Sequence, residues 1–191
     1  ASEGRSAEVK IDTFHDFDES RIVGELIFRW DEKDSGRQIT EARQAYFRSP
    51  FAGFDFFVGN RQEFWGKAES KNVVDVINQS DAAANDGKSG KLGAPSISAE
   101  RYLDVGNLQL WYISSFREKT FNDSDAHPSS GVPVSSAQYA RKNGKDADDF
   151  AARLSSFAGE WDLAGSVFYG TARDPILSVA SDGSALTPYY A

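Results

Sequence analysis

The chain has 191 residues, 21 basic and 29 acidic side chains, and a net charge of −8. It contains no cysteine, which excludes a disulfide framework, thiolate catalysis and Cys-ligated metal centres. The acidic balance argues against nucleic-acid binding, which needs a concentrated basic face. At 40% hydrophobic and 13% aromatic residues the chain is too apolar to be disordered throughout, and its length fits one domain.

The first predicted element, Glu8–Phe17, alternates only imperfectly. Arg21–Trp30 is clearer: Ile22, Gly24, Leu26, Phe28 and Trp30 fall on one parity, and Arg21, Val23, Glu25, Ile27 and Arg29 on the other. Ile39–Ser49 is again weak. Phe54–Trp65 sets Phe54, Phe56 and Val58 against Asp55, Phe57, Gly59, Arg61 and Glu63. Ser96–Asp104 follows, with Arg101 on the parity of Ile97 and Leu103. Gly106–Arg117, Phe150–Ala158 and Trp161–Thr171 complete eight predicted strands. Most are near the 9–11 residues that a tilted strand needs to cross a bilayer, and longer than the usual 5–6.

The connections carry a second signal. Short links at Asp16–Ser20, Pro50–Gly53, Val105–Gly106 and Gly159–Glu160 alternate with long ones at Asp31–Gln38, Gly66–Pro95, Glu118–Asp148 and after Arg173. Outer-membrane barrels alternate in this way between tight periplasmic turns and long extracellular loops. No stretch approaches the roughly 18 apolar residues of a membrane helix, but a barrel wall averages out as polar and is not excluded. The start, Ala1-Ser2-Glu3-Gly4, has no signal-peptide character, so the sequence is expected to begin after processing or to be a piece of something longer.

A barrel wall needs an apolar face to lipid and aromatic girdles at headgroup level. Trp30, Phe64, Tyr112, Trp161 and Tyr169 are the girdle candidates. Glu25, Arg29, Arg61, Glu63, Arg117 and Arg153 fall on the opposite parity and are expected to line a wet interior. The competing reading for each arginine is an ion pair across neighbouring strands.

Catalytic motifs are sparse, and neither an enzyme activity nor a cofactor or metal is expected. His15 and His127 have no partner at metal-ligand spacing and no serine nucleophile in a strained elbow. The acidic clusters Asp16–Glu19 and Asp146–Asp149 lack the spacing and central glycine of an EF-hand, and read as solvated loop charge. Between Asn72 and Asn78 lies a short apolar run, Val73, Val74, Val76 and Ile77, inside a polar loop. It is too apolar to be left in water. Folded into the barrel mouth it would narrow the pore, with Lys67, Glu69, Lys71 and Asp75 at the constriction.

Trp65-Gly66-Lys67-Ala68-Glu69 followed by Asn72-Val73-Val74-Asp75-Val76-Ile77-Asn78 resembles the WGKA(D/E)…NVTDVLN signature of a porin-like family of Gram-negative outer-membrane β-barrels with no assigned function. Trp161-Asp162-Leu163 followed by Gly170-Thr171-Ala172-Arg173-Asp174-Pro175 is similar to that family's WDIGLS…GTSRDP hairpin, and Glu41–Tyr46 to its LREAYL strand. Asn60-Arg61 stands where the family usually has Arg-Gln, and Gln79 where proline is common.

The resemblance implies an antiparallel transmembrane β-barrel, with this chain an N-terminal portion of a longer one. Eight strands can also close alone, so a self-contained small barrel stays open as an alternative. The expected function is passive or facilitated passage of small solutes across the bacterial outer membrane. Outer-membrane lipid and lipopolysaccharide would surround the wall, and a homo-oligomer or partner protein is left open. Two competing readings remain. One is a secreted β-sandwich that stacks sugars on Trp111 and Tyr139; the other is a barrel scaffold that docks a partner and conducts nothing.

Overall fold

The computed structural model describes residues 4–66, 74–82, 90–122 and 131–191. Eight long strands form one antiparallel meander: β1 (Ser6–Phe17), β2 (Ser20–Asp31), β3 (Ile39–Phe51), β4 (Phe54–Arg61), β7 (Ala94–Leu103), β8 (Gly106–Ile113), β10 (Asp149–Ala158) and β11 (Trp161–Tyr169). Between β4 and β7 lies a small ribbon of β5 (Gln79–Ser80) and β6 (Lys91–Leu92). A second small sheet joins β12 (Ile176–Val179), β13 (Leu186–Tyr190) and β9 (Gln138–Tyr139). No α-helix occurs among the described residues.

All eight predicted strands are present, joined in pairs by two-residue turns at Asp18-Glu19, Ala52-Gly53, Asp104-Val105 and Gly159-Glu160. Ala52 (φ 52°) and Gly53 (φ 79°) are both left-handed, the geometry that matches the twist of a tight hairpin. The short turns fall at one end of the sheet and the long connections at the other, as the loop rhythm predicts.

Three predicted features are corrected. β1 and β11 are the two edges of the sheet and do not pair with each other, so these eight strands do not close into a barrel by themselves. β4 stops at Arg61 and not Trp65, and β8 at Ile113 and not Arg117. Asp149 is not solvated loop charge but fully buried.

The two faces of the sheet differ in exposure and polarity. Along β2, Phe28 is 40% exposed, Arg29 5%, and Trp30 50%. The exposed apolar face continues through Val9 and Ile11, Phe47, Val58, Ile97, Leu110, Leu154 and Val167, so it spans all eight strands. At about 4.8 Å per strand spacing and 3.4 Å per residue it covers roughly 900 Å², against roughly 300–600 Å² for the largest patch on a typical soluble monomer. The opposite face carries Arg29, Arg61, Ser98, Glu100 and Gln109, all buried.

What buries them is the described part of the chain between β4 and β7, through Glu63, Trp65, Asn78 and Asp81. After Arg61 it leaves the sheet and packs back onto the polar face. Trp65 and Ile77 enter a core with Ala94, Trp111, Ile113 and Ala151, and Val76 and Phe168 pack against it. Val76 and Ile77 thus find the apolar partners their sequence demands, Val74 does not and stays 43% exposed, and Val73 lies outside the described residues.

Candidate functional site

The polar face of the sheet brings charge, aromatic rings and a cleft together. Its first cluster sits near the long-loop end of β2 and β3. A register shift opposite Glu25 and Leu26 makes Arg43 an extra residue in β3 and turns its side chain onto this face. Arg29 donates to Asp81 at 2.5 Å and to the Arg37 carbonyl at 2.8 Å. Arg43 stands 3.7 Å from Glu25 and 3.9 Å from the same Asp81. Glu25 in turn accepts from Gln44 at 3.0 Å. Two cations on one buried carboxylate hold the inserted segment against β2 and β3, and Gly93 N–H donates to the Arg43 carbonyl at 3.0 Å.

The second cluster centres on Arg61, whose guanidinium lies 3.7 Å from the centroid of the Phe57 ring and 4.8 Å from that of Trp111. It donates to Ser98 and Glu63 at 2.9 Å each, and to Glu100. Glu63 lies outside the strands, and burial pushes its carboxyl up against the opposing pull of Arg61. Beside this cluster Trp65 donates its indole N–H to Gln109 at 3.0 Å. Asn78 ties the segment down from both sides: its amide N–H donates to the Arg61 carbonyl at 2.8 Å, and its oxygen accepts from Glu63 N–H at 2.6 Å.

A third cluster locks the far end. Asp149 is held by Arg141 and Arg173 at 2.7 Å each and accepts from Thr171 N–H at 3.0 Å. Arg173 also donates to the Ile77 carbonyl at 3.0 and 3.2 Å, and Gln79 donates to the Arg173 carbonyl at 2.8 Å. Burial pulls the Arg173 guanidinium down while Asp149 opposes it. Ile77 and the Gly170–Pro175 block, distant in sequence, therefore meet at one joint. Next to it the β9–β13 pair carries Tyr139 and Tyr190, stacked at 5.6 Å. Burial, then the hydrogen bond to Glu118, pushes the Tyr139 hydroxyl up.

The predicted wall residues divide accordingly. Glu25, Arg29, Arg61, Glu63 and Arg153 do face the polar side, and the first four are engaged as above. Arg117 lies beyond β8 and reaches back to donate from its guanidinium to both carboxylate oxygens of Glu41 at 2.7 Å. Arg153 differs: its guanidinium sits 5.6 Å from the centroid of the Trp65 ring, and among the described residues it makes no ion pair. Of the predicted constriction, Lys67 and Glu69 lie outside the described residues, as do Lys71 and His127. Asp75 is an anchor, accepting from Trp65 N–H at 3.3 Å and pairing with Lys91 at 3.1 Å.

Among the girdle candidates, Trp30, Tyr112 and Tyr169 lie on the apolar face at the long-loop end, and Trp161 on that face at the short-turn end. Phe64 does not belong with them, because it lies in the non-strand segment after Arg61. Trp111 is buried against Arg61 and offers no ring to a sugar. Sequence reasoning passed over Arg43, Trp65, Asn78, Asp81, Asp149 and Arg173. Trp65, Asn78 and Arg173 stood inside the two motif blocks, and that density was their one signal.

Compared with known proteins, the chain matches no family model, no curated protein and no solved structure.

Proposed function

We propose that this chain is part of an outer-membrane β-barrel whose lumen passes small polar or amphipathic solutes. The observation that carries the reading is the contrast between the two faces: apolar side chains stand exposed across all eight strands, and the opposite face buries arginines and carboxylates. Such a sheet suits lipid on one side and a wet, partly filled interior on the other. Trp161 and Tyr169 are eight residues apart on β11. That separation is about 27 Å along the strand and about 21 Å along the membrane normal at a 40° tilt, close to a roughly 25 Å apolar band between two girdles.

In lipid an open sheet edge costs several kcal/mol for each unpaired backbone group. The reading therefore includes further strands that pair with β1 and β11 and complete the wall. Passage involves no covalent step; selection comes from lumen width and wall charge. The inserted segment, pinned at Asp81, Asn78 and Ile77, narrows the lumen as a fixed constriction.

Mobility of the native protein in SDS, unheated against boiled, tests the wall, and conductance in planar bilayers tests the passage. A mobility shift with measurable single-channel current is expected. Recovery from the aqueous fraction without detergent, with no shift on boiling, would overturn the barrel; a shifting protein that carries no current would overturn the channel.

A further inference from the structure

Between the inserted segment and the polar face of β10–β11 lies a cleft of about 350 Å³, lined by Gly66, Val74, Arg153, Ser155, Phe157 and Asp162 among others. We propose that this cleft binds a small amphipathic carboxylate, with Arg153 taking the carboxylate and Phe157 and Val74 the apolar body. The proposal names a solute class for the pathway proposed above and rests on that reading.

Three features carry it. The volume is in the range of small-molecule sites. The Arg153 guanidinium lies 5.6 Å from the centroid of the Trp65 ring, within cation–π range, and its planar fork of N–H donors matches a carboxylate. Every other arginine predicted to line the wall is already satisfied by carboxylates: Arg29 by Asp81, Arg61 by Glu63 and Glu100, Arg117 by Glu41. Arg153 has no such partner among the described residues; nearby Glu63 is taken by Arg61.

The third feature is Phe157, which is 80% exposed on the face of β10 that carries Arg153, where the other large apolar rings, Phe57 and Trp111, are buried. An uncovered phenyl ring two residues beyond Ser155, with Arg153 on the same strand parity, gives a hydrophobic contact at one end of the cleft and a cation at the other. Asp162, opposite Phe157 in the register, also lines the cleft.

The test is calorimetric titration of the purified protein in detergent with benzoate, benzyl alcohol and acetate as probes. Benzoate is expected to bind one to one, at least tenfold more tightly than either control. Arg153→Gln should weaken benzoate at least tenfold, with Arg153→Lys intermediate, because it keeps the charge and loses the planar fork. Equal affinity for benzoate and benzyl alcohol, or undiminished affinity in Arg153→Gln, overturns the proposal. Should Arg153→Gln fail to fold by circular dichroism, Phe157→Ser alters an exposed side chain and decides the matter. A several-fold loss supports the site and an unchanged affinity removes it. Bilayer conductance, measured separately, distinguishes the two readings: current without benzoate binding sinks only this inference, and binding without current sinks only the channel.

Discussion

Gly59 shows how closely β3 and β4 approach. Its φ is +127°, and a Cβ there would strike the Ala45 carbonyl oxygen and come within 2.9 Å of Tyr46 Cα. Both obstacles are backbone, so neither can swing aside. Gly59→Ala should lose at least about 1–3 kcal/mol from the backbone conformation alone. A lowered urea midpoint would show it, and an unchanged midpoint would mean that β3 and β4 separate without cost. At the same scale, several buried arginines hold the fold through carboxylate partners. Burying Arg29 or Arg61 without a carboxylate would cost several kcal/mol, so their partners Asp81 and Glu100 belong to the structure as much as they do.

The inserted segment is the element on which the site depends. Among its described residues the regular structure is a ribbon of two two-residue strands, so its position comes from side chains more than from strand pairing. Trp65 is its hydrophobic anchor, with Asn78, Asp81 and the Ile77 carbonyl as polar ties. Trp65→Ala should cost about 3–5 kcal/mol in the core. It should also make the segment more sensitive to limited proteolysis than the hairpins are. Cleavage no faster than in the unaltered protein would argue that the polar ties alone suffice. The same substitution removes the ring on which Arg153 rests, so benzoate binding should weaken with it.

For the whole molecule, the decisive quantity is what surrounds the apolar face. Leu154 and Ala158 both stand on it, four residues and about 14 Å apart along β10. In a membrane wall Leu154→Arg should cost about 2–4 kcal/mol near mid-depth and Ala158→Arg only about 0–1 near the boundary. Folding free energies in lipid vesicles would measure this gradient. Equal, near-zero costs at the two positions would indicate water on that face, and no helix among the described residues is long and apolar enough to cross a membrane in its place.

The eight strands, their two faces and the turn-and-loop rhythm were legible in the amino-acid sequence, because period-two alternation and turn residues act over a few neighbours. The faces of Glu25, Arg29 and Arg153 followed directly from that parity. Strand ends did not. Arg61, Glu63 and Trp65 continue one parity without a break, and only Asn78, 15 residues beyond Glu63, takes the Glu63 N–H out of the ladder. The tertiary structure alone decided which charges pair: Arg29 with Asp81 across 52 residues, Arg117 with Glu41 across 76, Arg173 with the Ile77 carbonyl across 96. Ion pairs and carbonyl contacts at such separations leave no periodic trace in a sequence. Which of the predicted wall arginines are held by carboxylates was therefore decided by the tertiary structure, through Asp81, Glu63, Glu100 and Glu41.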